Sequence, residues 1–432
     1  MKTTTKPSGT AGVGRRLGGD GRQRVLRGFC VAMAGMFAPA MSLHGFETRD
    51  LFAFSAGPVV LKPSLSVVTG YNDNIYSLPA DSPLEDLGLI ESRDDLNFVL
   101  SPGLKARLGR TEAPNWVELG YRFDQVLYLQ NTDADSSNHN FDLGAAAAGS
   151  RLSYDCRNSF QILNSIMTGS EATLDGVVIP PGNVERNYYM LGHNLAYDLT
   201  AKSRLKAHGA LSIREYPDGD RVVNRFVDSL DWRVRTGYDY AITEKTRLGA
   251  LLHWGQQLQS ASGALGSAAD ADVYGASLTA MGAVTSKLSG NLRVGYEYRD
   301  FSAGGGSGGV PIAGLGLSQA FSERTALGLN YNRGGSVAAG SGEPTITDSV
   351  GLTFQQRMGA RHPWFFNAGV SYVHNEYSET GVGLDNLQLT AGLTYPIRSW
   401  ARAFLNYSFE LGDRDTYDYQ VNQVSIGLNL GL

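Results

Sequence analysis

Between residues 291 and 299 apolar and polar residues alternate without a break. Leu292, Val294, Tyr296 and Tyr298 share one face, and Asn291, Arg293, Gly295, Glu297 and Arg299 the other. A period of two is the signature of a strand with two unlike sides. The pattern recurs at 230–240, where Leu230, Trp232, Val234, Tyr238 and Tyr240 oppose Asp231, Arg233, Arg235, Gly237 and Asp239. It recurs again at 96–108, with Leu96, Phe98, Leu100, Leu104 and Leu108 against Asn97, Ser101, Lys105 and Arg107. About eighteen such segments follow one another from residue 61 to the end, each close to the ~9–11 residues of a tilted bilayer crossing.

The connectors alternate too. Thr200-Ala201-Lys202, Thr243-Glu244-Lys245 and Ser322-Glu323-Arg324 are short, while 76–94, 168–185, 257–271 and 334–345 are longer and polar or Gly-rich. Short turns on one side and long loops on the other are the plan of an outer-membrane barrel. In lipid every backbone N–H and C=O must find a partner within the protein, so only helices and closed barrels can span. After residue 41 no apolar run reaches the ~18 residues a spanning helix requires. A propeller would repeat one blade motif, and none recurs. The pattern predicts an all-β fold: a single transmembrane antiparallel barrel of about 16–18 strands, with both termini on the short-turn side.

The first forty residues break the pattern. Lys2, Lys6, Arg15, Arg16, Arg22, Arg24 and Arg27 precede an apolar stretch, Phe29 to Phe37, and then Ala38-Pro39-Ala40. This reads as a secretory signal, cleaved near Ala40. The expected organisation is residues 1–40 as signal peptide, 41–60 as a periplasmic segment and 61–432 as the barrel. Removing the leader leaves 30 basic and 41 acidic residues, a net charge of −11. Phosphate affinity needs a basic surface, so no nucleic acid is expected as a partner. Only Cys156 remains, and no intrachain disulfide can form.

Composition agrees with an exported barrel. Charged residues are 18% of the chain and glycines number 53 of 432, against averages of about 25% and about 7%. Aromatics gather toward the strand ends. Tyr71, Phe123, Trp254, Tyr298, Tyr372 and Phe409, with Tyr331, fall on apolar faces near the long loops; Tyr197, Tyr240, Phe321 and Tyr395 fall near the short turns. Two belts are where amphipathic rings meet two membrane interfaces.

Gly70-Tyr71-Asn72-Asp73-Asn74-Ile75-Tyr76, at the end of the first strand, resembles the start of the β-barrel porin-2 family of Gram-negative outer membranes. The resemblance covers the layout of about residues 55–432. It implies an integral outer-membrane location and an association with exopolysaccharide systems, and it carries over no catalytic residues. The C-terminal alternation Val424, Ile426, Leu428, Leu430, Leu432 resembles a barrel-insertion signal, though it ends in leucine rather than an aromatic residue. Partners implied are outer-membrane lipids and lipopolysaccharide, the barrel-assembly machinery and polysaccharide-export components.

Candidate chemistry is sparse. The seven histidines show no metal-ligand spacing, and no nucleophile elbow or phosphate-binding loop is present. No enzyme activity, cofactor or metal is expected. Gly304-Gly305-Gly306 and Gly308-Gly309 read as a flexible outer loop, and Asp218-Gly219-Asp220-Arg221 as a turn. The acidic stretch Asp81, Glu85, Asp86, Glu91, Asp94, Asp95 reads as a solvated loop rather than an ion site. The inward charges matter more. Arg233, Arg235, Arg247, Arg293 and Arg299, with Lys105 and Arg107, face the expected interior and are the candidate selectivity residues. Four of them, Arg233, Arg235, Arg247 and Arg293, come from strands close in order and should share one arc. A charge placed at Val294 should be costly, and one at inward Gly295 tolerated.

Two functions fit. One is a water-filled channel for small hydrophilic solutes or saccharides. The other is a non-conducting barrel that anchors a surface-polymer export system. A long loop folding inward as a plug would separate them, and 168–185, with Val177, Val178, Ile179, Pro180 and Pro181 at its centre, is the candidate.

Overall fold

The structure, a computed structural model, describes residues 54–88, 90–109, 113–166, 183–217, 228–259, 270–302, 307–337, 344–359, 363–377, 381, 383–414 and 417–431. The expected leader, the apolar centre of the 168–185 loop, the 218–221 turn, Gly304–Gly306 and Leu432 lie outside these residues.

Among the described residues a short strand, β1 (Phe54–Ala56), precedes eighteen long ones. These are β2 (Val59–Asn72), β3 (Asp95–Leu108), β4 (Trp116–Tyr128), β5 (Ser136–Ala148), β6 (Leu152–Ser165), β7 (Val184–Asp198), β8 (Ser203–Glu215), β9 (Ser229–Ala241) and β10 (Thr246–Gln259). They continue as β11 (Ala271–Ala283), β12 (Leu288–Phe301), β13 (Ser307–Ser322), β14 (Thr325–Val337), β15 (Pro344–Met358), β16 (Trp364–Tyr377), β17 (Gly383–Arg398), β18 (Ala401–Arg414) and β19 (Tyr417–Leu430).

Each long strand pairs antiparallel with its sequence neighbours, and β19 pairs with β2 to close the cylinder. The closing seam is short. It runs only from Leu65↔Leu430 to Asn72↔Gln423, whereas β2 pairs with β3 over its whole length. Below the seam β1 takes over, pairing Phe54 with Leu61 and Ala56 with Val59. It covers a strand edge that would otherwise leave backbone groups unpaired. Both ends of the wall therefore sit on the short-turn side, as the pattern requires.

The usual burial rule is inverted. Leu292, Val294, Tyr296 and Tyr298 are between 43% and 56% exposed, whereas Glu297 and Arg299 are 3% and 2% exposed. The same holds on β3 and β10, where Leu96, Leu104, Leu252 and Trp254 are exposed on the outward face while Asp95 and His253 are buried on the inward one. Only a lipid surround makes an apolar outside favourable over a whole cylinder. Outward rings form rows in register. Trp254, Tyr274 and Tyr298 stand directly opposite one another across β10, β11 and β12.

Three expectations change. Gly308 and Gly309 are not loop; they begin β13, paired with Arg299 and Tyr298. Gly295 faces inward as expected, but it has no room for a side chain. A Cβ there would meet the Ala276 carbonyl and stand 2.5 Å from the Cβ of Ser277. Asp94 and Asp95 are not a solvated pair. Asp95 is 1% exposed, and its carboxylate accepts from the backbone N–H groups of Leu129, Gln130 and Asn131 and from the Asn131 amide. Asp94 accepts from the Ser92 hydroxyl at 2.7 Å and the Tyr71 hydroxyl at 2.9 Å.

Those contacts tie down the connector 73–94. Ile75, Leu78 and Ile90 are buried within it. Asn74 donates to the carbonyls of Leu78 and Gln420, Arg93 donates to those of Leu78 and Ala80, and Pro79 bridges to Tyr419 on the inward face of β19. This connector folds onto the inner side of the long-loop mouth, as does 129–135, where Asn131 and Ala134 are buried.

Candidate functional site: the charged interior arc

Arg233 and Arg235 are carried by β9, Arg247 by β10, and Arg293 and Arg299 by β12, all at inward positions. They share one arc, as their closeness in strand order predicts. The register arranges it in belts. One belt runs Asp155, Asn194, His208, Arg235, His253, Gly275, Glu297, each residue directly opposite the next on β6 to β12. The Asn194 amide donates to Asp155 at 2.9 Å, and His208 Nδ1 lies 2.7 Å from the Asn194 carbonyl oxygen.

Glu297 is the hub. His253 Nε2 lies 3.0 Å from its Oε2. A carboxylate only accepts, so that nitrogen carries the proton. Arg299 reaches Oε1 with Nε at 2.8 Å and a terminal nitrogen at 2.6 Å, and Arg233 stands 3.6 Å from Oε2. Arg299 also donates to Gln257 at 2.8 Å and to the Gly335 carbonyl. Arg233 pairs with Asp231 at 3.2 Å, and Gln257 donates to the same carboxylate at 2.7 Å. A carboxylate this buried persists only because so many donors surround it.

The expected arginines thus divide in two. Arg233 and Arg299 are held by carboxylates. Arg235, Arg247 and Arg293 form no ion pair among the described residues; Arg293 donates instead to the Ser277 hydroxyl at 3.2 Å. Asp239, which shares the inward face of β9 with Arg233 and Arg235, pairs with Lys206 of β8 at 2.5 Å and not with either arginine. A cavity of about 900 Å³ opens at the short-turn side of this arc, lined by Lys206, Lys245, Arg247 and Arg293 on one side and by Ser318, Asn330 and Thr353 on the other.

Lys105 and Arg107 stand elsewhere, on β3. Arg107 pairs with Glu118 at 3.4 Å and lies over the Trp116 ring at 4.6 Å, a bracing position near a short turn. His253 was not legible as part of the arc. Its role depends on which residue faces it two strands away.

The long-loop aromatics stand on the outward face. The hydroxyls of Tyr71, Tyr331 and Tyr372 donate to Asp94, Asp348 and Asp385 at 2.9, 2.7 and 2.5 Å. Phe123 packs against His139 with ring centres 5.1 Å apart. Phe409 is half-buried opposite Asn422. Ring toward lipid and hydroxyl toward the wet end is the arrangement such side chains favour at an interface.

No protein-family model matches this chain, and no curated protein matches it. Among solved structures, Pseudomonas aeruginosa OccK2 (OpdF) is 14% identical, with 86% of this chain and 97% of that one covered at a TM-score of 0.46. The outer membrane protein OpdK of Pseudomonas aeruginosa is 12% identical, over 86% and 98%, at 0.44. A bacterial polysaccharide outer membrane secretin is 9% identical, over 85% and 97%, at 0.36. From its own geometry, a closed wall of eighteen strands with an apolar outside, rows of interfacial rings and a charged interior, the chain is an integral outer-membrane β-barrel.

Proposed function

We propose that the barrel is a water-filled channel for small hydrophilic solutes or saccharides, with anions favoured by the interior arc. Barrels of 16–18 strands are wide enough to leave an aqueous passage. The observation that carries the reading is the set of three guanidinium groups, Arg235, Arg247 and Arg293, without carboxylate partners among the described residues. A cation already paired contributes little field at a distance, whereas an unpaired one attracts counter-ions into a confined space. The glutamate hub holds the neighbouring arginines in place, so bracing and selectivity are shared within one network.

Planar-bilayer conductance of the refolded protein tests this. Discrete conductance steps with a reversal potential displaced toward anions are expected under a salt gradient. A barrel that inserts and stays electrically silent would favour the anchoring role instead.

A further inference from the structure

The interior is two-sided. From β13 to β19 the inward positions are almost free of charge. Among the described side chains the charged ones there are Arg357 and Arg402, beside the short turns, and Glu410, toward the long-loop end. The rest are amides, hydroxyls, glycines and a few apolar residues. One cross-strand row reads Ser318, Gly328, Thr353, Gly369, Thr390, Ser408, Gln423. The next row toward the short turns reads Gln355, Asn367, Gly392, Asn406, Ser425, Gly70, Asn97.

Glycines and polar residues alternate here for a physical reason. A Cβ at Gly369 would stand 2.8 Å from the Thr390 hydroxyl, at Gly328 2.7 Å from that of Thr353, and at Gly392 2.7 Å from the Asn406 carbonyl oxygen. Each polar group leans over a neighbouring glycine, which keeps the wall smooth while leaving the group facing inward. Thr353, Thr390, Ser408 and Asn406 make no side-chain hydrogen bond to another described residue, so their donors and acceptors are available. Two inward rings, Phe365 and Phe404, flank Thr394 in register at the short-turn end. Phe404 lies across Gly427, where a Cβ would collide with its ring, and Phe365 is 40% exposed.

Accepting the channel reading above, we infer that the β13–β19 wall is a binding track for an uncharged glycan chain. Sugar hydroxyls both donate and accept. They match a surface of amides and hydroxyls that also do both. The C–H faces of pyranose rings match flat aromatic faces, here Phe365 and Phe404. Away from Arg357 and Arg402, beside the short turns, a free anion meets no cation on this wall. On the arc across the cavity the strong donors are mainly charged groups, and two of them, Arg233 and Arg299, are already held by carboxylates. The wall also lacks the field that would pin a chain in one place, so a polymer can advance by exchanging one hydroxyl contact for the next.

The test uses maltoheptaose as neutral glycan and a polyethylene glycol of matched length, which has ether oxygens but almost no hydroxyl groups. Equilibrium binding to the intact detergent-solubilised barrel is measured first, because it needs no conductance. Saturable binding of maltoheptaose and none of the glycol is expected. Thr390→Val and Phe365→Ala should each weaken binding about tenfold, the factor produced by 1.4 kcal/mol, and leave the reversal potential of the open channel unchanged. Arg235→Gln should do the reverse. Equal behaviour of the two probes, or an affinity that follows Arg235 rather than Thr390, would overturn the track. A silent bilayer with intact maltoheptaose binding would overturn the channel reading alone and leave the track standing.

Discussion

His253 reaches Glu297 across a residue that has no side chain. Gly275 stands directly between them in register, with His253 on one flanking strand and Glu297 on the other. The imidazole Nε2 passes over it to lie 3.0 Å from the carboxylate. A Cβ on residue 275 would strike the imidazole and stand 2.8 Å from the Tyr296 carbonyl. A buried contact spanning three strands therefore depends on the absence of one methyl group.

Gly275→Ala should destabilise the barrel by about 1–3 kcal/mol, the usual cost of overpacking. Unfolding in urea of the lipid-reconstituted protein measures it. In a His253→Ala background the same substitution should cost less, since the collision with the ring is gone. Equal costs in both backgrounds would show that the imidazole is not what fills the space.

Val294 lies midway along β12 with its side chain toward lipid. Val294→Arg should cost about 2–4 kcal/mol, the penalty of a cation at the bilayer midplane. Its neighbour Gly295 faces inward, yet Gly295→Ala should also destabilise, because its Cβ would crowd Ser277 and Ala276. The causes separate by depth and chemistry. Val294→Leu should be nearly silent, while no substitution at Gly295 should be. Refolding yield and urea midpoints of the three variants decide it.

Arg235 has no ion-pair partner among the described residues, whereas Arg233 is held by Asp231. Arg235→Gln should therefore reduce anion preference more than Arg233→Gln does. The effect should be large at 0.01 M salt, where the Debye length is about 30 Å, and small at 1 M, where it is about 3 Å. Reversal potentials at both salt concentrations provide the measurement. A purely bracing role predicts the opposite order, with Arg233→Gln the more damaging through loss of stability.

The loop 73–94 should respond to acid. Hydrogen bonds from Ser92 and then Tyr71 hold the Asp94 carboxyl below its ordinary value. A carboxyl depressed in the folded state contributes stability above its unfolded value and loses it as pH falls through the folded value. The loop should thus loosen below about pH 4, the range where a free aspartate protonates. Tyr71→Phe removes one donor and should move the transition to higher pH. Limited proteolysis within 73–94 as a function of pH reports it, and a wild-type midpoint equal to that of Tyr71→Phe would contradict the assignment.

How much of this was legible in the sequence follows from what a period of two encodes. Alternation places every residue on a face, so Arg233, Arg235, Arg247 and Arg293 could be assigned to one interior arc without knowing any pairing. It does not say which residue stands opposite which. His253 and Glu297 lie far apart in sequence and meet only through the registers of β10, β11 and β12. Gly295 shows the same gap. Its face follows from parity, but its lack of space follows from Ser277, one strand away. The acidic run near residue 90 looked uniform because charge pattern cannot separate Asp94, which faces a tyrosine hydroxyl, from Asp95, which caps a neighbouring loop. Gly308 and Gly309 resembled a loop because glycine is a turn signal, yet here β12 supplies the partner that holds them as strand.

The position of β1 has one last consequence. It lies on the same edge of β2 that β19 occupies higher up, so the final strand and the first follow one another along a common track. Leu65, opposite Leu430, and Leu61, opposite Phe54, are four residues apart on β2, about 13 Å. The strands from Phe54 to Gly431 are thus close to forming a ring. A few linking residues between Gly431 and Phe54 would join these strands, and the chain could then be opened on the opposite side, at the connector between β12 and β13. Such a rearranged molecule should insert and fold to the same cylinder, with the order of synthesis changed and every strand pairing kept.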